Sequence, residues 1–185
     1  MKQRYGLIGV LLFALTLLPS FSQSQLRYEN SLSISAGAYA VGGFGTNQFV
    51  GIRYNYFFLG GRYFVEASIG SGSIKSKVLE NFSKTPVFET EKLVAYEFLT
   101  AYDHSPSSYV PYFTFGVAGI NQGGISRFAG VVGVGKRIPL TGFLGTDQLG
   151  IRYDIRDHIF SQSINDSDPF ISNNLVFTFG LQFFF

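Results

Sequence analysis

The last thirteen residues constrain the chain more than any other stretch. They read Asn173-Asn174-Leu175-Val176-Phe177-Thr178-Phe179-Gly180-Leu181-Gln182-Phe183-Phe184-Phe185. Leu175, Phe177, Phe179, Leu181, Phe183 and Phe185 share one parity, and Val176, Thr178, Gly180, Gln182 and Phe184 the other. Side chains alternate faces along a strand, so this segment presents one continuously apolar face and one mostly small or polar face. Termini of water-soluble domains are usually exposed and mobile, a poor setting for such a face. In lipid the apolar face meets acyl chains, while partner strands satisfy the backbone.

The opposite end predicts export. Lys2 and Arg4 precede an apolar run over 5–18, Pro19 breaks it, and Ser20-Phe21-Ser22 supplies a small-x-small cleavage site. This is the pattern of a secretory signal peptide over 1–22, with cleavage after Ser24 as the alternative. The run is short for about 30 Å of hydrocarbon, and no charged stop-transfer flank follows. The remaining 23–185 form one domain. Of 14 basic residues, Lys2 and Arg4 belong to the leader, so the mature segment carries 12 against 12 acidic ones. With no basic tract, nucleic acid is not an expected partner. Zero cysteines exclude disulfides, thiolate metal sites, cysteine catalysis and a lipid anchor on cysteine. The 21 Phe, 11 Tyr and 22 Gly suit a membrane or all-β protein.

Alternation extends through the chain and predicts eight strands, near 31–38, 49–56, 63–70, 92–102, 109–120, 127–138, 148–160 and 173–185. Turn-rich breaks fall at 41–47, 57–61, 103–108, 121–126 and 139–147, and longer polar connections at 71–91 and 161–172. An even strand count, about ten residues per strand and alternating polarity predict an all-β fold: an eight-stranded antiparallel up-and-down transmembrane β-barrel. With both termini on the periplasmic side, connections one, three, five and seven face outward. Tyr54, Tyr56, Tyr63, Tyr102 and Tyr109, with Phe183 and Phe185, are then expected to form an aromatic girdle at the periplasmic boundary. A lipocalin-type soluble barrel is the competitor. The polar face here is rich in Gly, Ser and Ala with few charges, which suits a crowded lumen better than a water-facing surface.

The whole mature chain resembles the small outer-membrane β-barrel domains of Gram-negative bacteria. Gly150-Ile151-Arg152-Tyr153-Asp154-Ile155-Arg156-Asp157-His158, followed by Asn173-Asn174-Leu175 and the Phe ending, is similar to the last hairpin of one such family of uncharacterised barrels. The resemblance implies residence in the outer membrane, with its lipid as partner. It also implies that Phe177, Phe179, Leu181, Phe183 and Phe185 act as a signal to the barrel-assembly machinery. It implies no agreed activity.

Signatures of chemistry are sparse, and no cofactor or metal site is expected. Gly130 to Lys136 has phosphate-loop spacing, but Arg137 stands where Ser or Thr would hold magnesium, and the glycines alternate with valines as in a strand. His104 and His158 fall at opposite ends of the predicted barrel, too far apart to share a metal. Some eight-stranded barrels are lipid A deacylases, and His158, Asp157 and Ser161 or Ser163 are the candidates for such a triad. Against it, His158 shares the inward parity of Arg152, Asp154 and Arg156, whereas Ser161 has the opposite one. Gly-Ile-Arg-Tyr at 51–54 and 150–153 reads as shared barrel grammar.

The expected role is therefore structural or interactive, without catalysis; a lipid A-modifying barrel and a narrow porin-like channel are the alternatives. Arg53, Glu66, Glu97, Arg152, Asp154 and Arg156 share the inward face and are expected to pair as a lumen network, because isolated charges in a narrow lumen are costly. A turn centred near Leu59 and Gly60 would set Arg53 beside Glu66, and one near Gly142 and Phe143 would set Gly133 beside Arg152.

Overall fold

The computed structural model describes residues 28–41, 45–74, 91–104, 110–140, 146–162 and 170–185. The signal peptide assigned to 1–22 lies outside them. The chain is a closed, all-antiparallel barrel in the order β1 (Asn30–Val41), β2 (Gly45–Phe58), β3 (Tyr63–Ile74), β4 (Glu91–Tyr102), β5 (Tyr112–Gln122), β6 (Ile125–Pro139), β7 (Leu149–Gln162) and β8 (Phe170–Phe184). β1 pairs with β8 from Ser31↔Phe184 to Val41↔Asn174, which removes both sheet edges. At the end of that seam Asn30 and Phe185 exchange N–H···O bonds of 3.1 and 3.0 Å.

All eight expected strands are present, and several run further than alternation indicates. Gly45-Thr46-Asn47 belong to β2, as do Phe57 and Phe58. Asn121-Gln122 end β5 and Ile125-Ser126 open β6, leaving Gly123-Gly124 as the whole turn. Both glycines have positive φ, 57° and 86°, as a two-residue type I′ hairpin requires. β5 begins at Tyr112, with Val110 and Pro111 before it; Tyr109 lies outside the described residues. The phosphate-loop-like run Gly130 to Lys136 lies within strand β6.

The barrel end holding the start of β1 and the end of β8 is called the terminal end here, and the opposite one the loop end. Membrane barrels commonly contrast short turns at one end with long loops at the other, and here the contrast holds only in part. Connections 75–90 and 163–169 at the loop end are long, but 42–44 and 123–124 there are as tight as any at the terminal end.

The register fixes the shape. A path along paired residues runs Lys136, Tyr153, Phe179, Ala36, Val50, Ser71, Val94, Asn121 and returns to β6 at Ser126, ten residues from its start. For eight strands, that stagger implies a strand tilt of about 40°. Such a barrel is narrow enough for its own side chains to fill it.

The two faces divide as the parity argument requires. Outward side chains are large, apolar and exposed, including Ile34 at 67%, Phe98 at 60% and Leu181 at 61%. At the terminal end the expected girdle forms a run of ring contacts: Tyr56 with Phe58 at 6.4 Å, Phe58 with Tyr63 at 5.8 Å, and Tyr63 with Tyr102 at 5.0 Å. The inward face departs from expectation, because it is not mainly small and polar. Tyr39, Phe49, Leu93, Leu99, Ile120, Val131, Phe160 and Val176 form an apolar cluster, mostly toward the loop end. Phe57, Phe64, Tyr112 and Phe184 form a second one at the terminal end.

Glycines admit these large groups and the close seam. An added Cβ at Gly180 would strike Ile34 O and Ser35 Cα across the β1–β8 seam, whereas one at Gly119 would meet nothing within 4 Å. Gly180→Val is expected to obstruct barrel closure and abolish the faster gel migration of the unheated, folded protein. Gly119→Val should retain that heat-dependent shift.

Candidate functional site

Between the two apolar clusters lies a layer of charge. Three guanidinium groups, Arg53, Arg152 and Arg156, face three carboxylates, Glu66, Glu97 and Asp154, and none of the six is more than 8% exposed. β7 supplies three of them at alternate positions, so all point inward. Their partners come across the lumen from β2, β3 and β4.

Asp154 is held by Arg53 Nη1, by Arg152 Nε at 2.9 Å and Nη2 at 3.0 Å, and by the Tyr112 hydroxyl. Glu66 sits between Arg152 Nη2 at 2.6 Å and Arg156 Nη2 at 2.6 Å, with Arg53 Nε at 3.9 Å. Glu97 accepts from Arg156 Nη1 and from Ser68 Oγ at 2.6 Å, and its Oε1 lies 2.7 Å from His158 Nε2. Neutral groups complete the layer. Arg53 donates to Thr178 Oγ1 at 2.6 Å, and Arg152 to Asn55 Oδ1 at 3.0 Å. Equal numbers of opposite charges with shared partners are what make so buried an arrangement tolerable.

All six residues expected to share the lumen are therefore brought together, but two details of their pairing differ. Arg53 is opposite Ser68, and Glu66 opposite Asn55, because the β2–β3 turn takes four residues, 59–62. Leu59, Gly60 and Gly61 all have positive φ there, which shifts the register by two from a turn centred on Leu59 and Gly60. Arg53 reaches Glu66 only diagonally. Likewise Gly133 is opposite Arg156, and Arg152 is opposite Arg137 and Gly180. Gly133 thus lies beside a different arginine from the one expected, and a Cβ on it would come within 2.9 Å of Arg156 Cγ.

Further residues belong to the site that alternation alone does not single out. Arg137 Nη2 bonds Asp103 Oδ2 at 2.7 Å and Gly61 O at 3.2 Å, and both side chains are almost fully buried at the terminal end. The Arg137 guanidinium also lies 4.6 Å from the Phe57 ring centre and 4.7 Å from that of Phe64, within cation–π range. At the loop end Arg127 lies over Phe160 at 5.6 Å. Asp103 follows a strand and reads as a turn residue, and Arg137 follows a lysine near a proline, so neither shows its partner in sequence. The inward parity of Arg137 was the available signal.

The deacylase-like residues are not brought together. His158 is fully buried inside the lumen, while Ser161 is exposed on the opposite face. Asp157 also has outward parity and accepts from Asn173 Nδ2 at 3.2 Å. Ser163 lies outside the described residues. His104 pairs with the Tyr102 hydroxyl at 3.2 Å at the terminal end, remote from His158.

No family model matches the chain. No curated protein matches it in sequence. Among solved structures it is similar to the N-terminal β-barrel domain of Pseudomonas aeruginosa OprF, with a TM-score of 0.47 and 15% identity over 86% of this chain and 100% of that one. Strand count, stagger, apolar exterior and filled lumen give this chain the fold of a small eight-stranded membrane barrel.

Removing one member of the charged layer leaves its partners buried and unpaired. Glu66→Ala and Arg152→Ala are each expected to lower the unfolding free energy by roughly 3–5 kcal/mol. Ser68→Ala, which removes one neutral donor, should cost about 1 kcal/mol. Urea unfolding of the refolded protein in lipid measures all three.

Proposed function

We propose that the chain is an integral outer-membrane protein with a structural or surface-interaction role, and that its barrel neither catalyses a reaction nor conducts ions steadily. One observation carries the reading: the exterior is apolar and exposed while the lumen is filled along its length by apolar, ionic and apolar layers. An exterior of this kind is stable only against acyl chains. The filled interior leaves the loop end as the part available to partners. The separation of His158 from Ser161 argues against the deacylase-like reading.

The seam strand supports a place in assembly. Phe177, Phe179, Leu181, Phe183 and Phe185 all face outward, with exposures of 37–61%, so they are available to the barrel-assembly machinery as well as to outer-membrane lipid. Deleting Phe185 is expected to leave secreted but poorly inserted protein, read as loss of the heat-dependent gel shift in membrane fractions. Normal insertion would reduce the ending to lipid-facing surface.

Purified wild-type protein in planar bilayers should show no large, steady conductance; such conductance would move the channel reading ahead. Protease added to intact cells should cut within 71–91 and spare 103–108. The reverse pattern would overturn the orientation, with the loop end at the cell surface.

A further inference from the structure

We infer that Asp157 and the glycine notch beside it form a lipid site on the outer wall of the barrel, selective for a glycolipid whose acyl chains carry amide and hydroxyl donors next to the headgroup. The inference rests on the membrane reading proposed above and names the lipid that this wall prefers.

Depth is the first ground. At a strand tilt of about 40° each residue climbs about 2.5 Å, and each step to the next strand along the stagger about 3 Å. On that scale the outward residues Ser73, Lys92, Asn121, Ser161 and Asn173 form a polar ring about 20–25 Å above Lys136, which is level with Tyr56 and Tyr102 of the girdle. That span matches the apolar band of a membrane barrel, about 25 Å tall. Asp157 lies only about 13 Å above Lys136, inside the band. Among the described residues it is the one charged side chain that the outer wall carries between girdle and ring. A charge facing lipid at such a depth is destabilising, and an ionisable group kept there marks a site.

The barrel itself does little for this carboxylate. Oδ2 accepts from Asn173 Nδ2 at 3.2 Å, and Oδ1 accepts nothing. Each carboxylate of the central layer, by contrast, has at least two cationic or hydroxyl partners. A carboxylate can accept but not donate, so whatever meets it from the lipid must bring an N–H or O–H. The linkage region of a glycerophospholipid holds ester carbonyls, which only accept, and leaves Asp157 as it is. An acyl chain joined through an amide, or hydroxylated near its head, presents donors just below the headgroup. Asn173, two positions nearer the ring than the Asp157 partner Leu175, holds the carboxylate toward that level.

The wall beside Asp157 has room for the chain. Gly130 on β6 is paired with Ile159, two residues above Asp157, and Gly119 lies next to it on β5. A Cβ at Gly119 would meet nothing within 4 Å, and one at Gly130 only Ile159 O at 3.9 Å. The exposed rings of Tyr96 and Phe128, both paired with Gly119, wall the notch. An acyl segment lying over the glycines passes alongside the carboxylate.

The test is native mass spectrometry of the refolded full barrel, released from bilayer discs holding lipid A, phosphatidylethanolamine and cardiolipin. Cardiolipin carries phosphates but no donors on its acyl chains. The expected result is one lipid A retained per barrel, favoured over cardiolipin by about tenfold, as one charge-assisted hydrogen bond supplies. Asp157→Leu should keep the heat-dependent gel shift and lose the preference. Gly130→Leu, which fills the notch and leaves the carboxylate in place, should lose it too, and decides alone if the first variant does not fold. Equal retention of cardiolipin, a preference that survives both substitutions, or a second copy of the barrel retained in place of lipid would each overturn the site. A wild-type chain that shows no heat-dependent shift in lipid would instead overturn the membrane reading beneath it.

Discussion

Everything in this barrel depends on satisfying buried polar groups without water. The first set is the backbone: closing β1 onto β8 pairs both edge strands, which a sheet in hydrocarbon requires. The second set is the central layer of three arginines and three carboxylates. A charge buried singly in a narrow lumen would be prohibitive, whereas six in shared ion pairs neutralise one another. The apolar clusters above and below exclude solvent and so strengthen those contacts.

β7 is the hub of this arrangement. Its inward residues Arg152, Asp154, Arg156 and His158 reach partners on β1, β2, β3 and β4 across the lumen. Sheet neighbours hold adjacent strands together, but these contacts tie the first half of the barrel to the last. Glycines at 133 and 135 make the geometry possible. A Cβ at the first would crowd the Arg156 stem, and one at the second would lie 2.7 Å from Asp154 Oδ1. Their alternation with valines in β6 is therefore large-to-small packing inside and apolar cover outside.

The fold was legible because its signal is local. Parity along Leu32 to Ala38, Val50 to Tyr56 or Leu149 to Arg156 assigns each side chain to a face, and a strand needs nothing else to declare itself. It therefore identified the six residues of the charged layer. What parity cannot carry is register, which depends on turn geometry. The left-handed run Leu59-Gly60-Gly61 and the long 140–148 connection moved Arg53 and Gly133 to other neighbours. The Asp103–Arg137 pair was hidden for the same reason, since its members lie 34 positions apart and meet only across the lumen. The apolar plugs were under-read because Phe57 looked like part of a connection and Phe64 like one apolar residue on a polar face.

The ten-residue stagger gives the ionic layer a further meaning. Sliding one strand past its neighbour by a single residue turns its apolar face inward, and hydrophobicity rejects that error at once. Sliding it by two residues restores every side chain to its proper face. It nevertheless alters the stagger, and with it the tilt and bore of the barrel. Alternation is blind to such a slip, and so is the lipid outside. Charges that must meet across the bore from four strands are not, because a two-residue slip strands a guanidinium or a carboxylate. The layer thus acts as a proofreading device, selecting one barrel from a set of isomers that share the same inside and outside.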